Sequence, residues 1–179
     1  MISAMRFQFS KFATRLLLAL AIFGAVGANK AHAQVSWPVA RDSSRLIGSW
    51  LTTYQIAVFG GKTPILLSFT GDGIVIETDT PIPTPFGGSI GTVVLSNGHG
   101  AWKQTGERTF TFTYRKEIFH TDGSSYGVAQ TNGTATVSPD GTYLEINLTL
   151  LKVIDNEGNV AFSTAGTGTA TRIAVEEKN

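Results

Sequence analysis

The stretch Thr109-Phe110-Thr111-Phe112-Thr113-Tyr114-Arg115-Lys116-Glu117-Ile118-Phe119 decides the fold. Its even positions carry Phe110, Phe112, Tyr114, Lys116 and Ile118, and its odd positions Thr109, Thr111, Thr113, Arg115, Glu117 and Phe119. Successive side chains of a strand point to opposite faces, so this period of two predicts a strand with one buried side. The even set is the better-buried one. Thr142–Ile154 repeats the pattern: Thr142, Leu144, Ile146, Leu148, Leu150, Lys152 and Ile154 form an almost wholly apolar face against Tyr143, Glu145, Asn147, Thr149, Leu151 and Val153.

The same reading extends outward to candidate strands at Gly48–Phe59, Ile65–Thr70, Ile74–Thr78, Gly91–Leu95, Gly100–Gln104, Ser125–Ser138 and Val160–Ile173. Between them stand Gly60-Gly61, Asp72-Gly73, Asn97-Gly98, Thr105-Gly106, Asp122-Gly123, Asp140-Gly141 and Asn156 to Asn159, all with turn chemistry. Short connections between long strands imply antiparallel hairpins in a meander. Four long successive strands at the C-terminal end suit a tilted barrel better than an open sandwich or jelly roll. The expected fold class is all-β, an antiparallel up-and-down barrel of eight to ten strands. Pro81, Pro83 and Pro85 remove ladder donors, so Asp79–Ser89 is expected as a long loop at one rim.

The N-terminus has a different grammar. Arg6, Lys11 and Arg15 precede the apolar run Leu16–Ala28 and then Ala31-His32-Ala33, the order of a secretory signal peptide. The run is too short to cross a bilayer as a helix. The expected organisation is a signal peptide over 1–33, a leader over 34–45, the barrel over 46–175 and a tail over 176–179. The protein is therefore expected to be exported, to periplasm or medium, with no membrane span in its mature form.

Loss of the signal peptide removes four basic side chains and no acidic one, which moves the formal charge from +1 to −3. That charge offers no basic groove for phosphates and argues against a nucleic-acid partner. With no cysteine, stability must come from packing and hydrogen bonds. Only His99 and His120 remain as histidines, without metal-site spacing, so no metal or cofactor is expected.

Gly48-Ser49-Trp50 resembles the Gly-x-Trp signature of lipocalins and the wider calycin barrels, and Thr171-Arg172 resembles their closing arginine. Phe69-Thr-Gly-Asp-Gly73, His99-Gly-Ala-Trp102, Asp122-Gly-Ser-Ser-Tyr-Gly127 and Ser138-Pro-Asp-Gly141 are similar to a group of small bacterial lipocalin-like secreted proteins. The resemblance implies a barrel closed at one end, with an interior able to hold an apolar small molecule. It also implies structural roles for Trp50, Arg172 and Gly48, which the residues support through a cation–π contact at the barrel base.

Candidate ligand contacts are Trp102, His99, Tyr114, Tyr126 and Phe112, for stacking and for hydroxyl or imidazole hydrogen bonds. Catalytic residues are unknown, His99 being the candidate proton carrier. Lys116, a charge on an apolar face, either snorkels to solvent or fixes an acidic ligand from inside. No nucleophile elbow, paired-acid, phosphate-loop or metal motif is present. Three functions stay open: a barrel binding a small hydrophobic or amphiphilic molecule, a cofactor-free cyclase or isomerase acting on an apolar substrate, and a solid-cored structural or protein-interaction barrel. Monomer and homodimer are both compatible.

Overall fold

The computed structural model describes residues 45–56, 61–79, 83–87 and 90–174, within the compact unit Pro38–Asn179. The expected signal peptide, most of the expected leader, Gly60, Pro81 and the expected C-terminal tail lie outside the described residues. The strands are β1 (Gly48–Ile56), β2 (Gly61–Phe69), β3 (Ile74–Thr78), β4 (Thr84–Gly87), β5 (Gly91–Leu95), β6 (Gly98–Gln104), β7 (Thr109–His120), β8 (Ser125–Val137), β9 (Tyr143–Asp155) and β10 (Val160–Arg172).

Every pairing is antiparallel. The order β7-β6-β3-β2-β1-β10-β9-β8 returns to β7 and closes an eight-stranded ring. The fold is an all-β up-and-down barrel, and its ring follows from the alternation in the sequence. Along β7, Phe110, Phe112, Tyr114 and Ile118 are buried. Where β7 turns into β8 and β8 into β9, Asp122-Gly123 and Asp140-Gly141 place glycine at φ 86° and 75°, a region that L side chains rarely adopt. The aspartates accept from the Ser124 and Thr142 backbone N–H groups at 2.9 and 3.2 Å. Hydrogen bonds from the Ser124 hydroxyl to Asp122 and from the Ser138 and Thr142 hydroxyls to Asp140, followed by these backbone bonds, hold both aspartates below the usual carboxylate range.

Three expectations are corrected. Asn97-Gly98 is not a hairpin turn: β5 pairs with Ile118–His120 and β6 with Phe110–Arg115, so the two run in tandem along one neighbour. The register slips by one residue between them, a bulge at which the Ser96 hydroxyl accepts from the Glu117 N–H at 2.8 Å. The expected loop Asp79–Ser89 contains β4, which pairs with β5 despite Pro85 because Thr84 and Gly87 share the ladder. The buried face of β9 runs only from Leu144 to Leu148. A bulge around Thr149 shifts the registers to β8 and β10 and turns Leu151 and Val153 inward in place of Leu150, Lys152 and Ile154.

The interior has two apolar storeys. At the base, Trp50, Leu67, Phe69, Trp102, Phe110 and Phe112 belong to one cluster. Towards the opposite end, Ile90, Val93, Ile118, Ala129 and Val153 form a second, with Phe86, Tyr126 and Phe162 packed on it. Phe86 of β4 meets Phe162 of β10 edge to face at 6.2 Å between centroids.

Candidate functional site

The boundary between the storeys is polar. On the inward face of β7, Lys116 stands between Tyr114 of the lower cluster and Ile118 of the upper. Its Nζ donates to Glu77 Oε1 and to Asp79 Oδ2, both at 2.8 Å, with the three side chains only 9%, 1% and 12% exposed. Glu77 reaches this position by simple alternation along β3, where Val75 and Glu77 are buried and their neighbours are not. The lysine is thus interior rather than snorkelled, and two carboxylates already answer its charge.

Burial pushes the Glu77 carboxyl above its ordinary range, opposed by the attraction of Lys116. Lys116 is itself held above its ordinary value, because Glu77 and Asp79 outweigh the cost of burying its charge. Tyr54 of β1 and Tyr114 lie against each other in the same layer, and burial drives both hydroxyls well above the usual tyrosine range. Thr131 of β8 is also buried, and its hydroxyl opposes the rise at Tyr114.

Two atoms of this layer are unsatisfied. Tyr54 Oη and Glu77 Oε2 are buried without a hydrogen bond of good geometry. The Gly98 amide favours the ionised carboxylate, and the Tyr114 hydroxyl the ionised phenol of Tyr54, but neither completes an aligned bond. Such groups cost about 1–3 kcal/mol each when left unpaired, so polar atoms in this position invite a partner.

The sequence-derived candidates fall into separate places. Tyr114 and Phe112 are interior, with stacked rings 6.1 Å apart. Trp102 is buried at the base, edge to face with Phe69 and Phe110, and its Nε1 donates to the Thr70 carbonyl at 3.1 Å. His99 is exposed on the outer face of β6, whereas Trp102 points inward, so the two do not form one site. Tyr126 sits at the upper rim, edge to face with His120 at 5.3 Å. Trp50 and Arg172 meet at the base, and a Cβ on Gly48 would lie 2.8 Å from the Arg172 guanidinium. Glu77, Asp79 and Tyr54 were missed. The available signal was one acid in register with Val75 on a short apolar strand.

The inner wall narrows and widens with residue size. Phe112 lies over Gly133, Tyr54 over Gly168 and Tyr114 beside Gly98, where an added Cβ would approach the rings to 2.6–2.8 Å. Towards the upper end of β10 the inward-facing Gly166, Thr164 and Phe162 become half-exposed, unlike Ala170 and Gly168 below them. That gradient marks the mouth. A separate shallow groove of about 390 Å³ lies on the outer wall of β8–β10, lined by residues including Thr134, Tyr143, Asn147 and Thr167. Among the described residues no group of His, Asp and Glu could hold a metal, and no helix is long and apolar enough to cross a membrane.

No family model and no curated protein matches the chain. The solved structure of EF1p2_mFAP2b bound to DFHBI is similar at 16% identity with a TM-score of 0.44, over 75% of this chain and 99% of that one.

Proposed function

We propose that this chain is an exported, lipocalin-like barrel that binds a small amphiphilic molecule, its apolar part in the upper storey and its polar end at Glu77, Lys116, Asp79 and Tyr54. The observation that carries this reading is the pair of buried, unsatisfied atoms, Tyr54 Oη and Glu77 Oε2, between two apolar clusters. An occupant that completes their hydrogen bonds recovers free energy that the unpaired atoms forgo. The eight-stranded ring is held by its own backbone pairings, so little ordering opposes binding. Export rests on the N-terminal segment order, and a periplasmic or extracellular location follows from it.

A second reading, a cofactor-free isomerase or cyclase, is favoured by one observation: burial raises the Glu77 carboxyl above its ordinary range, against the attraction of Lys116, the direction that suits a carboxyl to proton transfer.

Native mass spectrometry of protein purified gently from its own host tests the first reading, followed by titration with apolar fluorescent probes. A retained small molecule or saturable probe binding is expected. A bare mass together with no probe binding overturns it in favour of a solid-cored barrel. Turnover of the retained molecule, abolished in Glu77→Gln, is the outcome that selects the second reading.

A further inference from the structure

The charge of the polar layer narrows the occupant. Glu77 and Asp79 bring two carboxylates to one ammonium, Lys116. Arg172, an inward-facing cation of β10, is at the base over Trp50 and bonded to the Gly141 and Ile47 carbonyls. Arg115 and Glu117, which flank Lys116, belong to the opposite face of β7 and are exposed. With both carboxylates ionised, the layer carries an excess of one negative charge in a poorly solvated interior, where charge is felt strongly.

The hydrogen-bonding inventory points the same way. Lys116 donates to Glu77 Oε1 and Asp79 Oδ2, whereas the unpaired atom of the pair, Glu77 Oε2, can only accept while ionised. Close to it are the aromatic rings of Tyr114, which like Glu77 Oε2 lies within 3 Å of where a Cβ on Gly98 would sit, and of Tyr54, whose hydroxyl feels the Glu77 charge. An incoming anion meets the reverse: its natural partner, Lys116, is taken, and it would have to displace a carboxylate from a 2.8 Å contact.

We propose that the barrel selects an amphiphile with a cationic, hydrogen-bond-donating head, an amine of the primary or secondary class, over a carboxylate of the same chain length. This rests on the interior-binding reading above and names the chemistry that the site would take.

The test uses a matched set, decylammonium, decanol and decanoate, titrated at about pH 7, where the amine and acid are both charged. Binding is followed by calorimetry on the processed full-length protein. Decylammonium is expected to bind roughly tenfold tighter than decanoate. Glu77→Gln removes a charge and supplies N–H donors of its own, so it should bring that ratio close to one. Asp79→Asn, at the more exposed end of the cluster, should lower the ratio too, and it serves if Glu77→Gln does not fold. Decanoate or decanol binding as tightly as decylammonium overturns the head-group inference while leaving interior binding intact. Failure of all three to bind overturns the interior-binding reading itself. A preference for decylammonium that survives in both variants also overturns the assignment to Glu77 and Asp79.

Discussion

Arg172 lies opposite Trp50 in the β1–β10 register, with its guanidinium carbon 4.2 Å from the centroid of the Trp50 ring. The same guanidinium donates to the Gly141 carbonyl at 2.7 Å, to Ile47 at 2.8 Å and to Arg45, while Trp50 Nε1 donates to Leu46 at 2.9 Å. One planar group therefore ties the last strand to the segment leading into the first and to the β8–β9 turn. Arg172→Ala is expected to cost about 2–4 kcal/mol, from a lost stacking contact and several charge-assisted bonds. Arg172→Lys should recover less than half, because an ammonium cannot reproduce the fork. Urea midpoints of the two variants check this; equal, near-wild-type midpoints would sink it.

The Glu77–Lys116 pair is expected to behave as a buried pair whose halves depend on each other. Lys116→Met leaves two carboxylates facing each other in the interior and should cost about 3–5 kcal/mol. Adding Glu77→Gln to that variant should recover a substantial part, since it removes an uncompensated charge. A double-mutant cycle measures the coupling, and strict additivity of the two changes would remove the pair from the account.

Alkaline pH should destabilise the fold in a defined window. Lys116, Tyr54 and Tyr114 all have folded-state pKa values raised from 10.5, 10.0 and 10.0. A raised group contributes stability that is complete below its unfolded pKa and is lost as pH climbs towards the folded one. Above about pH 10 the unfolded chain releases these protons while the folded barrel keeps them, so stability should fall by about 1.4 kcal/mol per pH unit for each proton. Glu77 adds a decline of the same sign at lower pH, beginning near its ordinary 4.5. Denaturation from about pH 8 to 11 checks the slope. Tyr54→Phe should flatten it by one proton's share, and an unchanged slope in that variant would contradict the assignment.

How much of this was legible in the sequence depends on which residues one takes. The buried face of β7 follows from strand alternation, whereas the placing of Gly48, Trp50 and Arg172 at the closure is what the resemblance of the two ends to lipocalins implies. His99 and Trp102 were also decidable: three apart on one strand, they must face opposite sides. Asn97-Gly98 was not, because a turn-forming dipeptide reports local backbone preference and says nothing about whether the chain reverses or continues along β7. The bulge at Thr149 was equally hidden, since one extra residue inverts every later side chain without any change in composition. Glu77 and Asp79 become a site only through Lys116, 39 and 37 residues away, which local patterning cannot connect.

Glycines of the barrel wall and its turns should divide sharply by what faces them. At Gly100 an added Cβ would sit 1.8 Å from the Thr113 carbonyl oxygen and 2.5 Å from the Tyr114 Cα. Those are backbone atoms of the paired strand and cannot rotate away, so Gly100→Ala must break the β6–β7 ladder and is expected to exceed the few kcal/mol by which a domain is stable. At Gly133 the obstacle is the tip of Phe112, 2.6 Å away, with the Asn147 carbonyl at 3.0 Å. A side chain can yield where a ladder cannot, so Gly133→Ala should cost about 1–3 kcal/mol, and Phe112→Leu in the same chain should offset part of that cost. Gly141 has open space around it and only its φ of 75° to satisfy, so Gly141→Asn should cost less than about 1 kcal/mol. Soluble yield and thermal midpoints of the three variants give the ranking, and a folded Gly100→Ala barrel would show that β6 does not lie as close to β7 as described.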